Sequence, residues 1–162
     1  YAALQAALAS DILIRIKALS PRFFEKLVIE LLVAMGYGGS HPDAARVVGQ
    51  RGDGGIDGEI KEDRLGLGQI YVQAKRWAGR IARPQVQGFA GSLMGRQATK
   101  CVFITTGTFT QDAQSFVRNL PLRIVLIDGQ QLAVLMIEHG VGVSITSTYQ
   151  IKKVDSDYFS EE

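Results

Sequence analysis

Cysteine and histidine are scarce in this chain of 162 residues, which contains one cysteine and two histidines. A single cysteine excludes a disulfide bond within the chain, and the sequence has no cysteine and histidine spacing of the zinc-binding type. Cys101 lies in an apolar run, residues 101–104, and is interpreted as a small buried hydrophobic residue rather than a reactive nucleophile. A reducing, cytoplasmic setting is compatible with this cysteine usage.

Long apolar runs and leader segments are also lacking. No stretch of about 18 or more apolar residues is present, so no membrane span is predicted. No signal peptide is visible, and because the chain starts at Tyr1 we expect it to be part of a longer protein. The 46% of hydrophobic residues suffices for one packed domain. Phosphate-binding loops of the GxxxxGK type and Ser-His-Asp arrangements are absent from the sequence.

Acidic residues are missing from the long stretch 64–111, although the net charge of the whole chain is only +2. The basic residues of this stretch are Arg64, Lys75, Arg76, Arg80, Arg83, Arg96 and Lys100. Such a charge asymmetry favours a surface that contacts a polyanion such as nucleic acid. The alternative is an ordinary solvated surface with an uneven charge distribution.

Helical periodicity dominates the first 36 residues. Residues 1–19 are predicted as a helical lead-in or linker, with Asp11 as a candidate cap for residues 12–19. Ser20 and Pro21 have the residue types preferred at the start of a helix. The buried stripe of this second helix is predicted from its spacing to be Phe24, Leu27, Val28, Leu31, Leu32 and Met35. Gly36 or Gly38 is expected to end it.

Two predicted strands, residues 56–60 and 69–77, are joined by a polar turn at residues 61–68. The second strand alternates, so Gln73 and Lys75 are predicted to share one face. The hairpin is expected to bring Asp57 opposite them. An acid, an amide oxygen and a lysine on one sheet surface form a site that suits a divalent cation and the activation of water.

The remaining pattern alternates helices and strands, which predicts a mixed α/β fold with helices on both faces of a sheet. The further strands are predicted at residues 44–49, 100–106, 122–127 and, as a strand or extension, 141–151. The further helices are predicted at residues 85–97, with Met94 on the buried side, at 111–120, and at 130–139 with Asp128 as its cap. Residues 77–84 are predicted as a basic loop, 51–55 as a tight turn and 155–162 as an acidic tail.

Four phrases of the sequence, in order, resemble the catalytic domain of Mrr-type restriction endonucleases. They are FEKLVIELLVAMGYGG, GDGGIDGEI, YVQAKRW and VFITTGTFTQDA. Asp57 followed by Gln-x-Lys is similar to the PD-(D/E)XK nuclease superfamily, in the variant that has glutamine in place of the second acid. The resemblance extends from about residue 20 to the C-terminus. It implies an αβββαβ core with a C-terminal αβ extension and a catalytic domain at residues 20–154.

The resemblance also implies roles for individual residues. Asp57 and Gln73 match the ligands of a Mg²⁺ ion, for which Mn²⁺ is expected to substitute, and Lys75 matches the lysine that orients water or stabilises the transition state. Glu25 matches a helix glutamate near the active site; its alternative is a solvated acid in the first turn of a helix.

DNA contacts are expected from the basic segment that follows Lys75, namely from Arg76, Trp77, Arg80 and Arg83. Trp77 is equally compatible with an aromatic residue that holds the loop. The resemblance implies cleavage of double-stranded DNA, possibly methylated, by a homodimer or larger assembly with a separate N-terminal winged-helix reader. A non-catalytic DNA-binding domain with the same fold and a Holliday-junction resolvase-like nuclease are the alternatives.

Overall fold

The computed structural model describes residues 1–38, 45–46 and 57–160. In this part of the chain a five-stranded sheet lies between two groups of helices. The helices are α1 (Ala2–Ala18), α2 (Pro21–Ala34), α3 (Arg83–Met94), α4 (Gln111–Arg118) and α5 (Gly129–Glu138). The strands are β1 (Ala45–Arg46), β2 (Gly58–Lys61), β3 (Gln69–Lys75), β4 (Arg80–Ile81), β5 (Lys100–Thr105), β6 (Thr108–Phe109) and β7 (Arg123–Ile127).

The main sheet has the strand order β1-β2-β3-β5-β7 and is mixed. The pairs β1–β2 and β2–β3 are antiparallel, whereas β3–β5 and β5–β7 are parallel. One buried cluster joins α1, α2 and α5 to β2 and β3, and another joins α3 and α4 to β5 and β7. This architecture confirms the predicted mixed sheet flanked by helices and the αβββαβ order of its core.

Helix α1 is one continuous helix, so the predicted cap at Asp11 is wrong. Asp11 lies in the middle of the helix, where its carboxylate pairs with the Arg15 guanidinium at 3.0 Å. Ala9, Ile12 and Ile16 recur at helical spacing and are buried in the core. The segment interpreted as a lead-in or linker therefore packs on the domain itself, against α5.

Helix α2 has the predicted start and end. The Ser20 hydroxyl accepts a hydrogen bond from the Phe23 N–H at 3.2 Å, and Pro21 occupies the first helical position. Just beyond the helix, Gly36 adopts a φ of 102°, which L side chains rarely adopt. The predicted stripe faces the sheet, and α2 packs on β2 and β3.

The turn between β2 and β3 is held by Asp63, whose carboxylate accepts hydrogen bonds from the backbone N–H groups of Leu65, Leu67 and Gly68. These bonds, led by that of Leu67, lower the pKa of Asp63. An aspartate that binds several backbone donors in this way is typical of tight turns. The turn fixes the register in which Gly58 pairs with Val72.

Several boundaries differ from the predictions. The basic loop at residues 77–84 contains β4, which pairs with β6; two-residue strands are too short to produce a periodic pattern. Met94 ends α3 and is 61% exposed, so its predicted burial is wrong. Residues 141–151 contain no strand and are mostly exposed. The predicted turn at 51–55 and most of the strand at 44–49 lie outside the described residues.

Across the ranges 1–38, 45–46 and 57–160, no helix combines the length and the apolar character that crossing a membrane requires.

Replacing Gly91 with alanine is expected to stabilise the protein by roughly 0.5–1 kcal/mol. Gly91 lies in the interior of α3, and a Cβ added there meets no atom within 4 Å. Alanine restricts the unfolded chain more than glycine does and introduces no clash. Urea unfolding measures the change, and Gly88→Ala, at another open position of the same helix, should act alike. A loss of stability in both variants would contradict the prediction.

Candidate active site

Asp57 lies at the point where β2 begins, directly beside the end of β3. Its backbone N–H donates to the Val72 carbonyl at 2.9 Å, which continues the β2–β3 pairing by one residue. Its carboxylate Oδ2 accepts a hydrogen bond from the Ala74 N–H at 2.7 Å. Because Ala74 separates Gln73 from Lys75, this bond holds the carboxylate against the Gln-x-Lys segment.

The predicted alternation of β3 is confirmed by burial. Ile70, Val72 and Ala74 are buried, whereas Gln73 and Lys75 are half-buried. Side chains two residues apart on a strand point to the same face, so the amide and the ammonium share one surface of the sheet. Strand pairing to β5 along its length, from Tyr71 to Lys75, fixes the backbone beneath them.

The electrostatics of Asp57 bring two further charged residues into the site. Burial raises the pKa of Asp57 from 3.8 to about 6, and the hydrogen bond from Ala74 opposes this shift. The negative charge of Glu25 raises the pKa further, and the positive charge of Lys75 lowers it. Glu25, on a helix that packs against β2 and β3, therefore lies close enough to act on Asp57.

The donor groups of this site fit a hard divalent cation. The described residues contain no group of three or more histidine, cysteine, aspartate or glutamate side chains that suits a metal. The oxygen-bearing side chains at this part of the sheet are Asp57, Glu25, whose charge acts on Asp57, and Gln73, and oxygen ligands of this kind suit Mg²⁺. A carboxylate whose ionisation is costly without a partner also gains most from a bound cation.

Asp57→Asn is expected to stabilise the metal-free protein by roughly 1–2 kcal/mol at pH 7.5, a range discounted for the partial exposure of the carboxyl. Because the pKa of Asp57 is about 6 in the folded state and 3.8 in the unfolded reference, the folded state binds the proton more tightly. The contribution of Asp57 to stability therefore falls as the pH rises from about 4 to about 6, whereas asparagine does not ionise.

Thermal unfolding in EDTA from pH 4 to pH 8 measures this difference, which should vanish near pH 4. Glu30→Gln, at an exposed position of α2, is the matched control and should show no such dependence. Equal stability of Asp57→Asn and wild type at every pH would contradict the prediction.

Arg76 has a contact that its sequence position does not predict. Its Nη1 donates to the carbonyl oxygen of Lys17 at 2.8 Å, and Lys17 lies in the last turn of α1. Carbonyl groups at a helix C-terminus have no partner within the helix, so the arginine satisfies one of them. Arg76 thereby ties α1 to the end of the strand that carries Lys75.

Arg83 also contacts protein groups. Its Nη1 lies 3.5 Å from the Asp112 carboxylate, and its guanidinium stacks 5.0 Å from the centre of the Phe116 ring. Arg80 is exposed and, with Lys17, lines a cleft of about 420 Å³. The other residues of this cleft are Leu13, Ala78, Gly79, Thr106, Gly107, Thr108, Asp128, Gly129 and Gln130.

The acid-free stretch does not form one uniformly positive surface. Arg96 pairs with Glu59 at 3.4 Å, and Lys100 pairs with Glu62. Both acids belong to the β2–β3 hairpin, which precedes the stretch in sequence. Folding thus brings acids from elsewhere in the sequence to this part of the predicted basic surface.

Cys101 is buried, and burial raises the pKa of its thiol to about 12. A thiol in this state is unreactive at neutral pH, which confirms its interpretation as a core residue.

Thr106 was not singled out by the sequence, although its side chain contacts the segment after Lys75. Its hydroxyl bonds to the backbone of Trp77, 29 residues away, and the Trp77 ring centre lies 5.2 Å from the Lys75 Nζ. The only signal in the sequence is two polar residues, Thr105 and Thr106, at the end of an otherwise apolar strand.

A mixed sheet of this strand order, flanked by helices on both faces, is the fold that the resemblance to restriction endonucleases predicts. The sequence model of the Mrr_cat family, described as restriction endonuclease, matches residues 16–136 of this chain. The chain therefore belongs to the Mrr_cat family, which confirms the predicted resemblance.

One relative is the type IV methyl-directed restriction enzyme EcoKMrr of Escherichia coli strain K12. The two sequences are 46% identical over 156 residues, which cover 96% of this chain and 50% of the relative. The chain thus spans about half the length of that protein.

Two solved structures are similar. The DNA modification-dependent restriction endonuclease AspBHI matches with a TM-score of 0.62 and 21% identity over 85% of this chain and 36% of its own, which shows a common fold. The MspJI restriction endonuclease in complex with a 27-mer oligonucleotide matches with a TM-score of 0.47 and 22% identity, covering 82% of this chain and 31% of its own.

Proposed function

We propose that this chain is the catalytic domain of a type IV, modification-dependent restriction endonuclease that hydrolyses phosphodiester bonds of DNA with Mg²⁺ as its cofactor. The observation that supports this most directly is the hydrogen bond from Ala74 to Asp57, which holds a carboxylate beside Gln73 and Lys75. Family membership supports the reaction class, and the oxygen donors around Asp57 support the cofactor.

Asp57 and Gln73 are the proposed ligands of the cation. Glu25 supplies a second carboxylate, which holds a water molecule near the ion or contributes to a second ion. A divalent cation at such a site supplies Lewis acidity, which makes water more acidic and stabilises charge on the phosphate. Gln73 is neutral, so the site has less negative charge than one with two acids, and we expect Mn²⁺ to substitute for Mg²⁺.

Lys75 is the proposed electrostatic catalyst. Its charge acts on Asp57, so its ammonium lies at the same site. A fixed positive charge there stabilises the negative charge that develops on the phosphoryl oxygens, and it also orients the attacking water. A group held in position before the reaction does this without the cost of reorganising solvent.

The proposed DNA contacts lie beside this site. Arg80 and Lys17 line the cleft at the ends of β3 and β5, where a phosphate backbone would meet both cations. Trp77, Arg76 and Arg83 remain candidates for the edges of the same surface, although the two arginines already contact Lys17 and Asp112. Contacts to phosphates supply affinity but no sequence information.

The substrate is proposed to be double-stranded DNA that carries a modification, by analogy with the methyl-directed relative. Recognition of the modification is assigned to a separate N-terminal winged-helix reader, since the chain spans about half of that relative. A homodimer or larger assembly is proposed because cutting both strands requires two active sites. The cytoplasm is the proposed location.

Cleavage of methylated supercoiled plasmid tests the proposal. We expect nicked and linear products with Mg²⁺ or Mn²⁺, no products with EDTA, and no products from Asp57→Ala. Glu30→Ala, which removes an exposed acid from α2, is the matched control and should cut like the wild type.

Activity that survives in Asp57→Ala would contradict the proposed site. An inactive wild-type chain that still binds DNA would favour a non-catalytic DNA-binding domain, unless the full-length protein with its reader cuts. A preference for four-way junctions over linear duplex would favour a resolvase-like nuclease.

A further inference from the structure

The hydroxyl of Thr106 satisfies both backbone polar groups of one residue. It accepts a hydrogen bond from the Trp77 N–H at 3.0 Å and donates one to the Trp77 carbonyl at 2.9 Å. Thr106 is 2% exposed, so these bonds form away from water, where an unmade bond is costly. The side chain therefore acts as a backbone partner for the segment that leaves β3.

The sheet itself does not continue to Trp77. Pairing between β3 and β5 ends at Lys75 and Thr105, and the next backbone contact, from the Thr106 N–H to the Lys75 carbonyl, has lengthened to 3.4 Å. Beyond that point the regular β3–β5 ladder stops although the two segments stay close, and the Thr106 hydroxyl supplies the hydrogen bonds to the Trp77 backbone. Along the two segments, the bonds of the Thr106 hydroxyl are followed by the one that the Thr108 N–H donates to the Gly79 carbonyl.

Trp77 in turn contacts Lys75. The Lys75 Nζ lies 5.2 Å from the centre of the indole ring, which is the geometry of a cation–π contact. A lysine side chain has a flexible four-carbon stem, so its ammonium group takes many positions unless a contact fixes it. Trp77 is 44% exposed, so the position of its ring depends on its fixed backbone and on its contacts with Lys75 and Gly79.

We propose that Thr106 is a positioning residue for Lys75, which it controls through the backbone and ring of Trp77. This inference rests on the proposed role of Lys75 in DNA cleavage. The Thr106 hydroxyl is committed to Trp77 and takes no part in the reaction; its two hydrogen bonds keep the indole in place, and the indole keeps the ammonium beside Asp57.

Two variants test this proposal. Thr106→Val replaces the hydroxyl with a methyl group of similar size, and Thr106→Ser keeps the hydroxyl. At saturating DNA, the single-turnover cleavage rate of Thr106→Val should fall about 10- to 100-fold, the loss expected when a catalytic group is misplaced by about 1 Å. Its Kd for DNA should change far less than its cleavage rate, because the variant shifts one proposed DNA contact, Trp77, and leaves Arg80 and Lys17 of the cleft in place. Thr106→Ser keeps the hydroxyl and should retain most of the wild-type rate.

Thr105→Val is the matched control. Thr105 is equally buried, and its hydroxyl accepts a bond from the Gly107 N–H at 3.1 Å without touching Trp77. Both valine variants lose one buried hydroxyl, so both should lower the Tm, and cleavage is measured well below either transition. If both lower the cleavage rate equally, or if Thr106→Val cuts like the wild type, the proposal is wrong.

A second readout does not depend on cleavage, because Trp77 is the only tryptophan in the chain. Thr106→Val should red-shift the fluorescence of Trp77 and increase its quenching by acrylamide, whereas Thr105→Val should change both much less, because its hydroxyl bonds to Gly107 and not to Trp77. An unchanged emission in Thr106→Val would overturn the inference even if the chain did not cut DNA. Shifted emission in a chain that never cuts would instead count against the proposed function alone.

Discussion

Lys75→Met is expected to lower the rate of DNA cleavage by at least about 100-fold. The substitution removes the positive charge of the Gln-x-Lys segment, which is proposed to stabilise the transition state. Methionine keeps most of the side-chain length, so the fold and the packing against Trp77 should be preserved. The variant should bind DNA with an affinity close to that of the wild type, because one phosphate contact at most is lost. We therefore expect the substitution to lower the rate of the cleavage step and not the affinity for DNA.

Single-turnover cleavage and a separate binding titration measure these two quantities. Lys61→Met removes a lysine of the same hairpin, exposed at the far end of β2, and should cleave normally. Loss of binding equal to the loss of cleavage would assign Lys75 to DNA contact, and unchanged cleavage would remove it from the active site.

Gly107→Ala is expected to have the largest effect on stability, a loss of about 3 kcal/mol or more in the free energy of unfolding. A Cβ at this buried position would lie 2.0 Å from the Gly79 carbonyl oxygen and 2.9 Å from that of Trp77. Both obstacles are backbone atoms, so a side-chain rotation cannot relieve them. The backbone of the segment after Lys75 or the end of β5 must shift instead.

Denaturant unfolding measures the loss, and Gly91→Ala is the matched control because the same substitution there meets open space. The displaced backbone carries Trp77, so residual cleavage by Gly107→Ala should also fall at temperatures where the variant is folded. A stability change within about 0.5 kcal/mol would show that the two segments separate more easily than this geometry implies.

Lys75→Met and Gly107→Ala change two neighbouring features: the charged side chain at the end of β3, and the glycine that packs against the backbone after it. Lys75 carries the proposed chemistry, and the close approach of Gly107 to residues 77–79 shapes the backbone that follows it. Gly129 has a similar place, since a Cβ there would lie 2.3 Å from the Thr106 carbonyl oxygen. Glycines at the ends of β5 and β7 thus allow the strand ends and α5 to meet at the site.

The sequence by itself determined the features that depend on near neighbours. The alternation of β3 predicted that Gln73 and Lys75 share a face, because strand geometry repeats every two residues. Ser20 and Asp128 predicted two helix starts, because capping involves atoms only three residues apart. The hairpin linking Asp57 to Gln-x-Lys was predictable for the same reason: a short turn brings strands that are close in sequence together.

The tertiary structure alone decided which groups the arginine guanidinium groups and the Thr106 hydroxyl contact. Arg76 reaches Lys17 across 59 residues, Arg83 reaches Asp112, and Thr106 reaches Trp77. Each pair joins elements whose relative placement depends on how helices pack on the sheet. No periodicity records that placement, because burial patterns state which side of an element faces the core but not which element lies against it. The proposed catalytic residues could therefore be predicted from the sequence of one hairpin. The contacts that hold these residues in position depend on how distant elements pack in the folded chain.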